Sequence, residues 1–202
     1  MINTRKDLKK CLKYEMHIYG KKRIKLFGPV LSERSIAWKY VCLLRFEEYH
    51  TNAAHRIRAF FFRFLKVSLG RKYCLEIPIN VIDQGLMLFH PHFIIINAKK
   101  IGRNCSIQFG CSCVASGHDG SVPTLGDNID IGADTIILGG ISLANGIAVG
   151  ANSTVNKSFE EENICIAGSP AKKISNNGSE TWEGRKIMER NLSGNGCYSR
   201  GK

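Results

Sequence analysis

The 202-residue sequence predicts a mainly β protein, a left-handed parallel β-helix preceded by a small α-helical N-terminal region. Three observations predict this fold. Aliphatic residues recur at every sixth position, a Gly or Ala commonly follows each of them, and the chain before the repeats is basic and helical in pattern. A period of six fits neither the 3.6-residue period of a helix nor the two-residue period of a strand. It fits a coil of three short flat faces, each six residues long.

The predicted prism covers residues 76–174, and its register is set by the recurring aliphatic residues. Each is expected to point inward and fill a narrow prism, and the small or medium residue four positions later is expected to point inward near a corner. Gly, Asn and Asp suit the turns between faces because they tolerate positive φ. The expected inward aliphatics are Ile95, Ile101, Ile107, Leu125, Ile131, Ile137, Leu143, Val149 and Val155, and the corner residues are Cys105, Cys111, Ile129, Thr135, Ile141, Ile147 and Ser153.

Two segments depart from the repeat. The stretch GHDGSVP, residues 117–123, has no inward aliphatic residue and is expected to leave the prism as a loop. A loop that projects from a rigid solenoid is a usual place for a binding function. After residue 174 the repeat ends, and residues 175–202 are expected to form a flexible tail with at most a short helix around ETWEGRKIMER.

Residues 1–75 form the predicted basic helical region. They hold 18 Lys+Arg and 5 Asp+Glu, a net charge of +13, whereas the whole chain carries +12. One helix is expected to start at a cap on Ser32 or Ser35 and run to about residue 50. A second is expected to follow and to end at Gly70, since glycine often ends helices.

In the second predicted helix, basic residues surround a cluster of apolar ones. This pattern makes the helix a candidate for peripheral contact with a membrane of anionic lipid, although the same pattern is typical of a helix packed on its own protein. No nucleic-acid-binding motif accompanies the charge, so no nucleic-acid partner is predicted. There is no transmembrane-length apolar run and the start, MINTRKDLKK, lacks the apolar core of a secretory signal, so a cytoplasmic location is expected.

The eight cysteines form no CxxC pair and are expected to be reduced thiols used as small apolar residues. No residue is predicted to bind a metal.

Two motifs indicate a resemblance to a known family. They are IPINVIDQGLMLFH at residues 77–90, followed by IIIN, and AGSPAK at residues 167–172. With the hexads between them, the chain resembles the hexapeptide-repeat acyltransferases, and within them the serine O-acetyltransferase-like branch, which includes enzymes of surface-polysaccharide gene clusters. The resemblance covers about half of the chain. It implies acetyl-CoA as co-substrate, no metal, and a homotrimer.

The resemblance implies that His90, which follows the GLxL run, is the catalytic histidine. An alcohol is a poor nucleophile until its proton is removed, and an imidazole can remove it at neutral pH. The freed oxygen would attack the thioester of acetyl-CoA, and a tetrahedral oxyanion would form, held by backbone N–H groups. The histidine would then return a proton to the departing thiolate.

Departures from the family bear on the acceptor. Serine acetyltransferases carry an aspartate before the catalytic histidine, where this chain has Phe89, and another aspartate where it has Leu75 with Glu76 adjacent. The ammonium group of serine needs a carboxylate partner. The absence of the aspartate before His90 therefore favours a sugar hydroxyl as acceptor. His92 is expected to share a strand face with His90. The candidate acceptor-binding residues are His92, His118, Asp119, Phe89 and Glu76.

For coenzyme A, the resemblance implies a groove between subunits. Lysines there would offer charge-assisted contacts to phosphate, although each could equally be a solvated surface lysine. The candidate residues are Ala133, Ala151, Asn156, Lys157, Lys172 and Lys173.

Three alternatives stay open at different weights. The first is a serine O-acetyltransferase of cysteine biosynthesis, although the final Arg-Gly-Lys lacks the terminal isoleucine with which that family docks its partner enzyme. The second is a non-catalytic β-helix scaffold. The third, a γ-type carbonic anhydrase of the same fold, is disfavoured because Pro123 stands five residues after His118, where a zinc-binding histidine is expected.

Overall fold

The computed structural model describes residues 1–24, 26–28 and 30–193. Three helices come first, α1 (Arg5–Ile18), α2 (Glu33–Asn52) and α3 (Arg56–Tyr73), and a fourth, α4 (Glu183–Leu192), follows a 3-10 turn at Ser179–Thr181. Between them lie fourteen short strands in the described chain. They are β1 (Leu75–Glu76), β2 (Met87–Leu88), β3 (Ile94–Ile96), β4 (Lys100–Ile101), β5 (Ser106–Ile107), β6 (Ser112–Val114), β7 (Thr124–Leu125), β8 (Asp130–Ile131), β9 (Ile136–Leu138), β10 (Ser142–Leu143), β11 (Ala148–Val149), β12 (Thr154–Val155), β13 (Cys165–Gly168) and β14 (Ala171–Ser175).

The strands form three sheets that the chain visits in a fixed cycle. Sheet 1 has the order β1-β3-β6-β9-β12, sheet 2 the order β4-β7-β10, and sheet 3 the order β2-β5-β8-β11-β13-β14. Isolated bridges from Ile82 and Phe159 extend sheet 2 at both ends. All pairings are parallel except β13 with β14. A chain that repeats sheets 1, 2 and 3 in this order follows the path of a parallel β-helix, as the period of six predicts.

The predicted inward aliphatics are buried at eight of the nine positions and belong to one hydrophobic cluster. Ile95 is the exception, with 45% of its surface exposed, so the prediction is wrong there. Ile96 points inward instead and pairs with the buried Cys113, while Ile95 pairs with Ser112. The step from Ile96 to Ile101 is one residue short of a hexad, and a shift of one residue moves a strand side chain to the opposite face.

The corners of the prism follow the predicted chemistry. All seven expected corner residues are buried. The turns are made largely by left-handed Asn and Asp residues, including Asn104 (φ 56°), Asn128 (φ 60°) and Asp134 (φ 57°). These residue types tolerate positive φ better than other non-glycine residues, which is why the repeat favours them at the turns.

Of the two predicted helices, the first begins as expected and the second ends later than expected. The Ser32 side chain accepts a hydrogen bond from the Ser35 amide and caps α2. Helix α3 continues past Gly70 to Tyr73, and Cys74 ends it with φ 55°. A Cβ atom at Gly70 would lie 2.4 Å from the Leu75 carbonyl oxygen, so this glycine allows a close approach inside the helix rather than ending it. Helix α1 was not predicted.

A buried arginine fixes the helices to the first coil. The Arg45 guanidinium on α2 donates hydrogen bonds to Glu15 of α1 at 2.7 and 3.0 Å, and to the carbonyl oxygens of Ile82 and Asp83 at 2.7 Å each. Glu48 completes the group at 3.1 Å. Since all these charges are buried, each depends on the others for its polar partners.

The C-terminal segment is structured as far as it is described. Residues 175–193, predicted as part of a flexible tail with a short helix around ETWEGRKIMER, contain the 3-10 turn and α4, which is that helix. Met188 of α4 is buried, and the Asn191 side chain donates a hydrogen bond to the Ile18 carbonyl oxygen at 2.6 Å. Residues 194–202, which include Cys197 and the final Arg-Gly-Lys, lie outside the described residues. The seven described cysteines are free thiols, and only Cys74 of these is exposed.

Candidate active site

His90 lies in the turn that leads from sheet 3 to sheet 1. Its backbone is left-handed (φ 49°) and its side chain is 64% exposed. The same turn recurs on successive coils at residues 89–93, 108–111, 132–134 and 150–152, which together form one edge of the prism, the histidine edge. Backbone hydrogen bonds connect these turns, from Gly110 N to His92 O at 3.0 Å and from Asn152 N to Ala133 O at 2.8 Å.

The His90 ring contacts a carboxylate from the helical region. Glu33, in the first turn of α2, places its Oε2 against Nδ1 of His90. Because a carboxylate oxygen only accepts hydrogen bonds, the contact assigns the N–H of a neutral His90 ring to Nδ1 and leaves Nε2 as the acceptor. The pair therefore combines an exposed imidazole with a carboxylate that orients its ring.

A hydrogen bond from the adjoining strand holds α1 and α2 in place over this turn. The Leu88 amide donates to the Tyr19 hydroxyl at 2.9 Å, and the Tyr19 ring packs on Trp38 of α2 at 5.4 Å between centroids. Burial raises the pKa of Tyr19 well above its usual value, so the phenol stays neutral. The backbone of Leu88, two residues before His90, is thus connected through Tyr19 and Trp38 to α2, the helix that carries Glu33.

His92 does not share a face with His90, contrary to the expectation. Both residues lie in a turn rather than on a strand, so the two-residue alternation does not apply. The His90 ring stands edge-on to Phe109 at 6.5 Å, whereas His92 stands edge-on to Tyr73 at the end of α3, at 5.4 Å. His92 therefore contacts the helical region, and His90 lies beside the next coil.

Phe89 is half-buried beneath α4. A Cβ atom at Gly184 of α4 would lie 3.3 Å from the Phe89 ring, 3.2 Å from the Ser106 hydroxyl and 3.4 Å from the Asp130 carboxylate. Gly184 thus packs closely over a small niche beside sheet 3, formed by the Phe89 ring, the Ser106 hydroxyl and the Asp130 carboxyl group. The exposed aromatic side chains at the histidine edge are Phe93 and Phe109.

Asp130 is a buried acid in this niche. Burial raises its pKa to about 7, nearby Arg185 opposes the rise and Glu189 adds to it. One carboxylate oxygen has no hydrogen-bond partner among the described residues. The carboxyl is therefore shared between its neutral and charged forms near neutral pH.

Ala133 and Ala151 lie on the histidine edge, one and two coils beyond the turn that contains Phe109. The other candidates for coenzyme A lie elsewhere. Asn156 and Lys157 are exposed at the turn from sheet 1 to sheet 2, and the Lys157 ammonium lies 5.3 Å from the centre of the Phe159 ring. Lys172 is exposed on β14, and its neighbour Lys173 contacts Glu161 at 2.5 Å.

The loop at residues 117–123 is also part of the connection from sheet 1 to sheet 2. The turns that make this connection on successive coils form a second edge of the prism, here named the loop edge. His118 is exposed there, and its amide donates to Ser116 Oγ at 3.1 Å. The Asp119 carboxylate accepts hydrogen bonds from the Ser121 hydroxyl at 2.7 Å and the Ser121 amide at 3.0 Å, which lower its pKa. Within a single chain, this loop and His90 lie on different edges.

Glu76 lies on the outer row of sheet 1, where it pairs with Ile95 of the next coil. It lines a groove between α3 and the first coil, together with Arg63 and Arg71. Glu33 and Phe109 adjoin His90 but were absent from the residues predicted from the sequence. No motif marks Glu33, because it reaches His90 only through the packing of α2. Phe109 could have been found from the repeat: it stands two residues after the inward Ile107, just as His90 stands two residues after Leu88, the strand partner of Ile107.

Comparisons with known proteins show which proteins this chain is similar to. No known family profile matches the chain. The sequence is 31% identical over 101 residues to the bifunctional protein GlmU of Thermodesulfovibrio yellowstonii, which covers 50% of this chain and 22% of that protein. It is 29% identical over 90 residues to GlmU of Listeria monocytogenes, covering 43% and 19%. The chain thus spans about a fifth of the length of the curated relatives it matches.

Solved structures of serine acetyltransferases match most of the chain. The enzyme from Brucella abortus strain S19 superposes with a TM-score of 0.69 at 20% identity, covering 87% of this chain and 72% of that one. Its complex with coenzyme A gives 0.66 at 19% identity, covering 86% and 70%. The Neisseria gonorrhoeae serine acetyltransferase in complex with serine gives 0.63 at 23% identity, covering 85% and 70%. Since the match extends well beyond the prism, this chain has the fold of serine acetyltransferases, N-terminal helices included.

Proposed function

We propose that this protein is an acetyl-CoA-dependent O-acetyltransferase with His90 as its general base. The observation that carries the proposal is the contact between His90 and Glu33 on an exposed edge of a fold shared with serine acetyltransferases. In that shared fold the prism has a left-handed sense, which we infer for this chain. Curated relatives named GlmU match up to half of the chain at the sequence level.

In the proposed reaction, Nε2 of His90 removes the proton of the acceptor hydroxyl as its oxygen attacks the thioester carbon of acetyl-CoA. Glu33 holds the ring by Nδ1 and stabilises the imidazolium that forms. The tetrahedral intermediate collapses with cleavage of the carbon–sulfur bond, and the imidazolium returns its proton to the thiolate of coenzyme A. General-base catalysis of this kind contributes about 10²–10⁴-fold to a rate.

The proposed acceptor is a sugar hydroxyl, as in surface polysaccharide synthesis. A pocket for free serine needs a carboxylate for its ammonium group, and the residue before His90 is Phe89, which lies under α4. The exposed ring of Phe109, edge-on to His90, is the type of apolar surface against which a sugar ring can pack. Serine as acceptor is the second candidate, because serine acetyltransferases are the structural neighbours, one of them in complex with serine.

The complete site is proposed to form between subunits of a homotrimer. His118, Asp119, Asn156 and Lys157 lie on the loop edge, and one protomer cannot bring them to His90 on the histidine edge. A neighbouring copy that packs its loop edge against this histidine edge would do so. The exposed Ile95 and Ile136 on the outer row of sheet 1 supply apolar surface for such packing.

In that arrangement, Ala133 and Ala151 border the arm of coenzyme A. The exposed Lys157 and Lys172 are placed to contact its phosphates. Lys173 is engaged with Glu161 and would have to exchange that contact for a phosphate.

The test follows thioester loss from acetyl-CoA with wild type and His90→Ala, using L-serine, nucleotide sugars and oligosaccharides as acceptors. Turnover on a sugar that His90→Ala lowers by at least about 100-fold supports the proposal. Turnover on serine alone makes the chain a serine O-acetyltransferase. If calorimetry detects no acetyl-CoA binding and no acceptor reacts, the protein is a non-catalytic scaffold.

A further inference from the structure

We propose that α3 is a docking surface for anionic phospholipid membranes. Its outward side carries a continuous row of exposed apolar residues, here named the aromatic stripe. The most exposed of them are Ile57 (86%), Phe60 (72%) and Phe64 (61%). The stripe consists of Ile57, Phe60, Phe61, Phe64 and Val67. The inference does not depend on the proposed acetyl transfer.

Helical geometry places these residues on one side. At about 100° per residue, positions 57, 60, 61, 64 and 67 fall within a sector of about 120°. The opposite side of α3 packs on α2, where Phe62 stacks on Phe46 at 4.9 Å and on His50 at 5.2 Å. Lys66 on that inner side is buried and contacts Glu47 at 2.8 Å. The aromatic stripe is therefore the side of α3 that stays exposed to solvent when the opposite side packs on α2.

Cations flank the stripe on both sides. Helix α3 contains six Lys or Arg residues and no Asp or Glu. Lys66 is paired inside, and the other five are exposed. In the same helical projection, Arg56 and Arg63 lie along one border of the stripe, and Arg58 and Lys72 along the other. Apolar residues bordered by cations are the arrangement with which a helix lies in the headgroup region of an anionic bilayer.

The charge favours a membrane over a second copy of the chain. If two such faces met, five exposed cations from each copy would be brought together, at a Coulomb cost that no acidic residue of α3 offsets. An anionic bilayer offers both an apolar interior for the phenylalanines and negative headgroups for the flanking arginines. Within the described residues, no helix has the length and apolar character to cross a membrane, so contact would be at the surface.

Docking would also position the candidate active site. The C-terminal end of α3 meets the first coil through hydrogen bonds from Phe93 N to Tyr73 O at 3.1 Å and from Ile94 N to Cys74 O at 3.0 Å. Tyr73 lies six residues beyond Val67, about 9 Å along the helix axis. A bilayer bound to the stripe would therefore lie close to the turn that holds His90 and His92.

The experiment is co-sedimentation of the full chain with vesicles of phosphatidylcholine, with or without a quarter of phosphatidylglycerol. We expect binding only to the anionic vesicles and loss of binding as salt is added. Phe60→Ser with Phe64→Ser should weaken it by at least about tenfold. Arg56→Gln with Arg63→Gln should weaken it by about 30-fold, from roughly fivefold for each cation. Ile174→Ser, at an exposed isoleucine on β14, is the matched control and should bind like wild type.

Light scattering on the same proteins distinguishes membrane docking from contact of the stripe with a second copy of the chain. If Phe60→Ser with Phe64→Ser lowers the mass of the assembly in solution and leaves vesicle binding unchanged, the stripe contacts a second copy and the proposal is wrong. Absence of binding to anionic vesicles at low salt would also overturn it. Circular dichroism melting of each variant verifies the fold, which these exposed positions should leave intact.

Discussion

Glu33 contacts Nδ1 of His90 across the boundary between the helical region and the prism. The carboxylate belongs to the first turn of α2, and the histidine to the turn after β2. Glu33 thus brings a carboxylate to the histidine from a different element, so the candidate site extends into the helical region.

Substitution of Glu33 should affect turnover rather than binding. We expect Glu33→Gln to lower kcat by about 10–100-fold, because the amide neither fixes the ring as well nor stabilises the imidazolium, while KM for acetyl-CoA stays unchanged. Glu33→Asp should restore part of the loss. The measurement is steady-state kinetics across pH, with Glu180→Gln as a control at an exposed glutamate. Equal losses in Glu33→Gln and Glu180→Gln would show that the contact has no catalytic role.

The Arg45 group should be essential to stability. Arg45→Met leaves Glu15 buried without its cation, and breaking such a buried pair costs about 3–5 kcal/mol. Urea denaturation should therefore show a large loss in the free energy of unfolding. The double variant Arg45→Met with Glu15→Gln should recover part of it, since the unpaired charge is gone. An Arg45→Met protein as stable as wild type would contradict the assigned role.

Asp130 should make stability fall as pH rises. Its folded pKa of about 7 lies above the ordinary value of 3.8, so between these values the folded state holds a proton that the unfolded state releases. The contribution of this group to stability is thus fully present below pH 3.8, decreases through about pH 7 and is constant above it.

Thermal unfolding between pH 5 and 8 tests this dependence. Asp130→Asn should flatten the curve and gain stability relative to wild type at pH 8, since the amide is neutral throughout. Asp134→Asn, at an exposed aspartate, serves as the control and should retain the wild-type slope. The same slope in Asp130→Asn and wild type would mean that another group causes it.

Gly70 should not tolerate a methyl group even though alanine favours helices. The added Cβ would lie 2.4 Å from the Leu75 carbonyl oxygen, so the chain between α3 and β1 would have to move. We expect Gly70→Ala to destabilise the protein by about 1–3 kcal/mol. Gly117→Ala, where no atom lies within 4 Å of the added Cβ, should change stability by less than about 0.5 kcal/mol. Chemical denaturation compares the two directly.

Much of the prism was predictable because its repeat is a local rule. Positions such as Ile107 and Ile131 face inward because the coil returns to the same face at a regular interval of residues. That period can be recognised without knowing the rest of the fold. The error at Ile95 arose where one coil is a residue short, because a period alone does not reveal a deletion. The end of α3 was misplaced because Gly70 serves a contact with Leu75, and a glycine selected for space looks the same in sequence as one selected for its φ.

Attention to His90 came from the resemblance of the GLMLFH motif to a known family. The sequence by itself determined the three-faced coil, the turn chemistry at residues such as Asn104 and Asn128, and the loop after β6. Those features depend on neighbours within a few residues or on a regular period. Only the tertiary structure decided that Glu33 reaches His90, that Phe89 is covered by α4, and that α3 keeps Phe60, Phe61 and Phe64 outside. Each of these depends on how separate elements pack, and packing is set by the shape and charge of surfaces that lie far apart in the chain.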